Sequence, residues 1–184
     1  MRVGLALIGL MSAVAATPVS AAEPLTLLVC GVHGTSAYIE PHETGPIYMF
    51  SVAVSGLELN SGDEVKELTI ATEVVSDRHK LLGGALFNKA MSMKGGAMLM
   101  APIDENRMVN LIFVAQKEGP FSAMLTGMTA HSKELWAEMK GICSVSVSED
   151  RKIPSDFFNS LYPKIEAEAS RTFSERMAQQ SEGK

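Results

Sequence analysis

Apolar and polar residues alternate with a period of two along much of this chain, a pattern typical of β-strands that are buried on one face. The clearest case is residues 47–55, where alternate positions are all apolar. These positions hold Tyr48, Phe50, Val52 and Val54. The same alternation predicts strands at 65–74 and 121–125. Strands are also predicted at 25–32, which is apolar and β-branched, and at 107–116, which is apolar at nearly every position, and short strands within 81–100, where glycine pairs interrupt the apolar run. The pattern therefore predicts a mainly β protein.

Residues 132–148 give conflicting signals, because Ser132 to Gly141 has helix-forming side chains, a candidate N-cap serine and a terminating glycine. The alternation nevertheless continues from Leu135 to Val147, and it also passes through Cys143. Helix propensities differ by only tenths of a kcal/mol per residue, whereas a consistently buried face contributes several kcal/mol. We therefore predict one long strand here.

The period changes to three and four near the C-terminus, which predicts an amphipathic helix. Its apolar stripe comprises Phe158, Leu161, Ile165, Ala169, Phe173 and Met177, and Pro163 either opens a second segment or kinks the helix. The predicted fold is an antiparallel, strongly curved sheet or small barrel of about 7–8 strands, against which the C-terminal helix packs.

The N-terminus is typical of a secretory signal peptide: a basic residue, Arg2, then an apolar run and small residues up to Ala21. The apolar run is too short to span a membrane, which takes about 20 residues. We expect cleavage near Ala21, a single β-rich domain over 22–178 without a transmembrane anchor, and a disordered tail at 179–184. The mature protein would be periplasmic or secreted.

The formal net charge of the full chain is −5, and removal of residues 1–21 takes away one basic residue and no acidic one. The only basic cluster is Arg78-His79-Lys80. Binding to a phosphate backbone requires several basic side chains on one face. Nucleic acid is therefore not an expected partner.

The two cysteines, Cys30 and Cys143, are expected to form a disulfide, because thiols of exported proteins are usually oxidised. Cys30 also precedes His33 by three residues in a glycine-punctuated stretch, and such a pair could contact one metal ion or act as a nucleophile and base. A soft-metal site needs more ligands, and a catalytic thiol must be free. The structural disulfide is the preferred interpretation.

Four methionines flank Gly95-Gly96, and a two-residue turn at these glycines would pair Met93 with Met98 and Met91 with Met100. All four thioethers would then share one face. Soft thioethers select Cu(I), so this hairpin is a candidate Cu(I) or Ag(I) site. His33, His42 or His79 could assist it. The alternatives are that the methionines fill an irregular core or form a pliable wall around an apolar ligand.

The sequence contains no hydrolase, metalloprotease, phosphate-loop or EF-hand motif, and nothing in it indicates a cofactor or a family. We expect a small exported, non-catalytic accessory or interaction domain. Its partner would be another envelope protein or a small apolar ligand. The alternatives are a carrier of an apolar ligand or soft metal ion that uses the methionine-rich hairpin, and an enzyme with an unrecognised site.

Overall fold

The computed structural model describes residues 23–36, 47–59, 62–77, 80–129, 131–132, 134–153 and 157–182. The predicted signal peptide at 1–21 lies outside them. The protein is mainly β, as predicted. Within the described residues, nine strands form one antiparallel sheet that curls into a half-barrel, with one helix at the C-terminal end.

The strands are β1 (Leu25–Ser36), β2 (Tyr48–Ser55), β3 (Lys66–Thr69), β4 (Ala71–Asp77), β5 (Lys89–Met93), β6 (Gly96–Pro102), β7 (Arg107–Val114), β8 (Phe121–Thr129) and β9 (Leu135–Ser148). The helix is α1 (Phe157–Glu182). The helix extends past residue 178, which is the predicted C-terminal bound of the β-rich domain.

The strand order in the sheet is β3-β5-β6-β7-β8-β9-β1-β2-β4. The two edge strands, β3 and β4, follow each other in sequence and are separated only by Ile70, whose backbone N–H donates to the Asn88 carbonyl (3.1 Å). The run predicted as one strand at 65–74 is therefore divided between the two edges of the sheet. This division accounts for nine strands where about seven or eight were predicted.

The inner face of the curled sheet carries the main hydrophobic core, to which almost every strand contributes. Fully buried aromatic rings at its centre are Phe50, Phe87 and Phe113, and they pack with aliphatic side chains such as Leu28 and Leu111. Alternate residues of each strand point inward, because successive side chains of a strand lie on opposite faces. The predicted buried face of 47–55 is thus confirmed.

Residues 135–148 form the long strand β9, which confirms the strand prediction over the helix propensity. The alternation has one irregularity, a register shift opposite Gly127 and Met128 of β8. There Leu135 is 50% exposed and Trp136 packs against the core, so the inward face slips by one residue at the start of β9. A bulge of this kind is a common device for bending a strand.

Helix α1 packs on the outer face of β1, β2 and β9. Four members of the predicted stripe lie in this contact: Leu161, Ile165, Ala169 and Phe173. The side chains of Phe158 and Met177 are outside the described set. The helix approaches closely at Gly31, where a Cβ would come within 3.2 Å of the Ala169 Cβ. The helix runs through Pro163 without a second start.

Candidate functional site

The predicted disulfide between Cys30 and Cys143 is present, and it joins paired residues of the neighbouring strands β1 and β9. Both cysteines are completely buried in the inner core. His33 is an odd number of residues from Cys30 and therefore lies on the opposite face of β1. The two residues of the Cys30-His33 stretch consequently form no common site, and the metal and nucleophile interpretations of that stretch are excluded.

The methionine-rich hairpin exists, but its register differs from the prediction. The turn is at Lys94-Gly95, so Met91 pairs with Met98 and Met93 pairs with Gly96. Gly95 adopts a positive φ of 68°. Gly96 is already part of β6, where a Cβ would overlap the Phe113 carbonyl of β7. The turn therefore forms one residue earlier than Gly95-Gly96.

Compared with the predicted register, each residue of β5 pairs with the residue two positions earlier on β6. Because side chains alternate between the two faces of a strand, a register change of two residues leaves every side chain on the face predicted for it. Met91, Met93, Met98 and Met100 therefore share one face, as predicted. These four residues define the methionine hairpin. All four are partly exposed, whereas the alternate residues Ala90, Ser92, Ala97, Leu99 and Ala101 are buried inside. The methionines thus lie on the outer face of the sheet rather than in the inner core.

The sheet extends this surface over two more strands. β6 pairs with β7 and β7 with β8, which places Met108, Met124 and Met128 on the same outer face. Each is partly exposed, and Ile112 lies between Met98 and Met124. We call the outer face of β5–β8, defined by these three methionines and the methionine hairpin, the methionine face. Helix α1 covers β1, β2 and β9 rather than this surface.

Sequence reasoning missed Met108, Met124 and Met128. The available signal was the period of two within predicted strands: Met108 lies four residues before Ile112 in the strand predicted at 107–116, and Met124 lies in the strand predicted at 121–125. Met128 lies beyond the predicted end of that second strand. Combining them with residues 91–100 requires knowledge that β6 is the neighbour of β7 and that the two hairpins share an orientation. That knowledge comes only from the sheet order.

A polar contact stabilises one end of the methionine face. Asn110 is only 6% exposed although it belongs to the outer side of β7. Its side-chain Nδ2–H donates to the Met128 sulfur at 3.4 Å. Buried amides normally need such partners. The Met128 thioether therefore accepts a hydrogen bond from this amide.

Charged side chains lie at the margins of the methionine face. Glu67 of β3 is paired with Met91 at one side. Glu138 and Lys140 of β9 form an ion pair at the other side (3.2 Å). At the hairpin turn, Lys94 forms an ion pair with Asp63 (2.7 Å). Charge is thus concentrated at the rim, and apolar side chains occupy most of the centre.

An open groove of ≈ 450 Å³ crosses β3, β5 and β6 beside the methionine hairpin. Its outward-facing lining residues are Glu67, Thr69, Lys89, Met91 and Met100. Two thioethers, the Glu67 carboxylate and the Lys89 ammonium therefore border the same concavity.

Among the described residues, the structure places no histidine proposed as an additional metal ligand at the methionine hairpin. His33 is on β1, four strands from β6, or about 19 Å at the usual spacing between strands. Its ring contacts Phe173 of α1, with the ring centres 3.7 Å apart, and burial lowers the pKa of its imidazole. His42 and His79 lie outside the described residues. Within those residues, no group of three or more His, Cys, Asp or Glu side chains is arranged to hold a metal ion.

The carboxylates with shifted pKa values are on the surface, and their shifts have local causes. The pKa of Asp104 is lowered mainly by the Asn106 backbone N–H, which donates to it, and next by Arg107. The pKa of Asp150 is lowered mainly by a hydrogen bond from Ser148. Turn hydrogen bonds and surface ion pairs of this type favour the ionised form and need no catalytic explanation.

No protein-family model, curated protein or solved structure matches this chain in comparisons of sequence and fold. Across the part of the chain that the structure describes, none of the helical residues form an apolar span long enough to cross a membrane. Inference about function therefore depends on the methionine face itself.

Proposed function

We propose that this protein is a non-catalytic accessory domain, periplasmic or secreted, that binds another protein of the cell envelope through its methionine face. The observation that carries the proposal is the outer surface of β5–β8, which no described part of helix α1 packs against and on which seven partly exposed methionines meet. The disulfide and the signal-peptide pattern of residues 1–21 support an exported location, because disulfides persist in oxidising compartments.

The composition of this surface resembles that of protein interfaces. Interface centres are depleted in charge and enriched in methionine, and their rims are polar. The methionine face has this arrangement, with Glu67 on one side and Glu138 and Lys140 on the other. An ordinary solvated sheet face would instead alternate apolar inward with polar outward residues. Methionine is also flexible, which suits surfaces that adapt to a partner.

A carrier of a small apolar ligand is a weaker candidate. Such a protein would need a cavity between its layers, whereas large side chains such as Phe50, Phe87 and Phe113 fill the inner side of this sheet. The methionine hairpin faces away from that interior and cannot line it.

Site-specific photo-cross-linking in the native host would test the proposal. A photoreactive amino acid is placed at Met98 or Met124 on the methionine face, and at Leu86 or Val147 as matched controls. The controls are exposed apolar residues elsewhere on the molecule, 56% and 53% accessible. We expect one discrete cross-linked product from both methionine positions and none from the controls, and we expect Met124→Glu to abolish the product formed at position 98.

Equal products from all four positions, or none from the methionine positions, would contradict the proposal. So would persistence of the product in the Met124→Glu protein, because a buried carboxylate in an apolar interface is strongly unfavourable. Circular dichroism and thermal melting of this variant would establish that the sheet itself is intact.

A further inference from the structure

We infer that the methionine hairpin binds one soft monovalent metal ion, Cu(I) or Ag(I), through thioether sulfurs. This inference deepens the proposed function and rests on it in one respect, namely that the methionine face is a binding surface. An ion held there would lie at the surface that meets the partner protein.

The register brings the sulfurs of Met91, Met98 and one diagonal neighbour within reach of one point. Met91 and Met98 are directly opposite each other on β5 and β6, and directly paired residues have Cβ atoms about 4.5–5.5 Å apart. Met93 is diagonal to Met98, and Met100 is diagonal to Met91, at about 7–8 Å. Met93 and Met100 are four residues apart in register, or about 14 Å at the usual rise per residue, so they cannot both reach one ion. A methionine side chain has three rotatable bonds and a terminal thioether, so Met91 and Met98 together with either Met93 or Met100 can converge on a single ion.

The choice of side chain at these positions indicates sulfur chemistry rather than hydrophobicity alone. β-Branched and aromatic residues are the apolar residues favoured in strands. On the outer face of β5 and β6, however, every long apolar side chain is a methionine, and the remaining positions are Lys89, Gly96 and Pro102. Leu99, the one leucine of the hairpin, points inward. Thioethers are soft ligands that select Cu(I) over harder ions.

The surroundings suit a monovalent cation. The groove of ≈ 450 Å³ next to the hairpin gives access to Met91 and Met100 from solvent. Glu67, which is paired with Met91, supplies a carboxylate beside the site. The ammonium of Lys94 at the turn is engaged by Asp63. Lys89, which is paired with Met100, adds a positive charge at the other end of the groove. A cation therefore approaches with least repulsion from the Glu67 side, next to Met91.

Thioether ligation has a distinctive consequence for pH dependence. Cysteine and histidine ligands must lose a proton before they bind a metal, which makes their affinity depend on pH. A thioether carries no proton to lose. We therefore expect binding to release no protons and its affinity to stay constant over about pH 5–8, the range in which histidine-based sites weaken on acidification.

The test uses the purified mature protein with its disulfide intact and Ag(I) as an air-stable probe in chloride-free buffer. Isothermal titration measures affinity and stoichiometry, and NMR of protein labelled with 13C in the methionine methyl groups reports which sulfurs respond. Met139, which is fully buried on the inner face, serves as an internal reference. We expect one Ag(I) per chain and methyl shifts confined to Met91, Met93, Met98 and Met100.

Two double variants separate the hairpin from the rest of the face. Met91→Leu/Met98→Leu removes the central sulfurs while conserving volume, a replacement that apolar sites tolerate well. Met108→Leu/Met124→Leu makes the same change on β7 and β8. Loss of single outer-sphere partners already lowers metal affinity by about 10–100-fold, so loss of two direct ligands should lower it by about 100-fold or more. The second variant should bind within about twofold of the parent.

Absence of saturable binding, equal losses in the two variants, methyl shifts centred on Met108 or Met128, or an affinity that falls on acidification would each overturn the inference. None of these outcomes bears on the proposed protein partner, because cross-linking at positions 98 and 124 is measured without added metal. Conversely, one Ag(I) bound at the hairpin with no cross-linked product would support the metal site and contradict the partner. The two proposals can therefore fail separately.

Discussion

Removal of the Cys30–Cys143 disulfide should greatly lower the free energy of unfolding of this protein. The bond closes a loop with a sequence separation of 113 residues and joins paired positions of β1 and β9. In the chain-entropy description, cross-linking a loop of this length stabilises the folded state by about 5 kcal/mol, because the unfolded chain loses conformational freedom.

This magnitude predicts a large thermal effect. For a chain of this size, each kcal/mol shifts the melting temperature by about 2–4 °C, so Cys30→Ala/Cys143→Ala should melt about 10–20 °C below the parent. Both sulfurs are completely buried, and their removal adds a small packing loss in the same direction.

The assays are thermal and urea denaturation followed by circular dichroism, with and without a strong reductant. The parent should lose stability when reductant is present throughout unfolding, and the double variant, which has no disulfide, should be indifferent to it. A melting temperature of the variant within about 5 °C of the parent, or an unfolding midpoint of the parent that ignores reductant, would refute the reasoning, since the chain-entropy stabilisation would be absent.

Three further changes test other parts of the fold. Gly96→Ala should destabilise the protein by about 1–3 kcal/mol through overpacking, because the alanine Cβ would overlap the Phe113 carbonyl. Urea midpoints would measure this loss, and an unchanged midpoint would contradict the close packing of β6 on β7. Tyr162→Phe should cost about 1–2 kcal/mol by removing the hydrogen bond between Tyr162 Oη and Ser51 Oγ (3.0 Å), and a double-mutant cycle with Ser51→Ala should show coupling between the two side chains rather than simple additivity. Burial lowers the pKa of His33 from its ordinary 6.5, so on acidification the unfolded chain takes up the proton before the folded protein does. The free energy of unfolding should therefore be unaffected by His33 above pH 6.5 and decline as the pH falls below it. His33→Phe, which retains a ring against Phe173, should flatten this decline in urea midpoints measured at several pH values, and an unchanged slope would exclude His33 as its source.

Much of the fold could be predicted from local pattern. The alternation along 47–55 and 135–148 predicted strands, even where propensity favoured a helix, because burial of a continuous apolar face outweighs small propensity differences. It also predicted the buried face of 47–55 and the middle of that of 135–148, whose end members Leu135 and Val147 are exposed. The spacing of Leu161, Ile165 and Ala169 predicted the packed side of α1. The disulfide was predicted from the presence of only two cysteines in a chain whose N-terminus has the pattern expected of an export signal.

The turn of the methionine hairpin could be placed only approximately. Either Lys94-Gly95 or Gly95-Gly96 could form a two-residue turn, and the choice depends on β7, whose backbone leaves no room for a side chain at position 96. The prediction that the four sulfurs share a face survived this error because the two registers differ by an even number of residues.

Sequence alone determined the alternation of each strand, the helical stripe and the pairing of the two cysteines, since these depend on neighbours along the chain or on simple counting. Tertiary structure decided which side of β5 and β6 is the inside. Both sides are apolar, so hydrophobicity could not choose between them; the crowded interior accepts the small residues Ala90, Ala97 and Ala101, and the longer methionines remain outside. Only the strand order shows that the methionine hairpin and the methionines of β7 and β8 form one surface. Neighbouring strands bring together residues that are far apart in sequence, and no periodic pattern along the chain indicates which strands are neighbours.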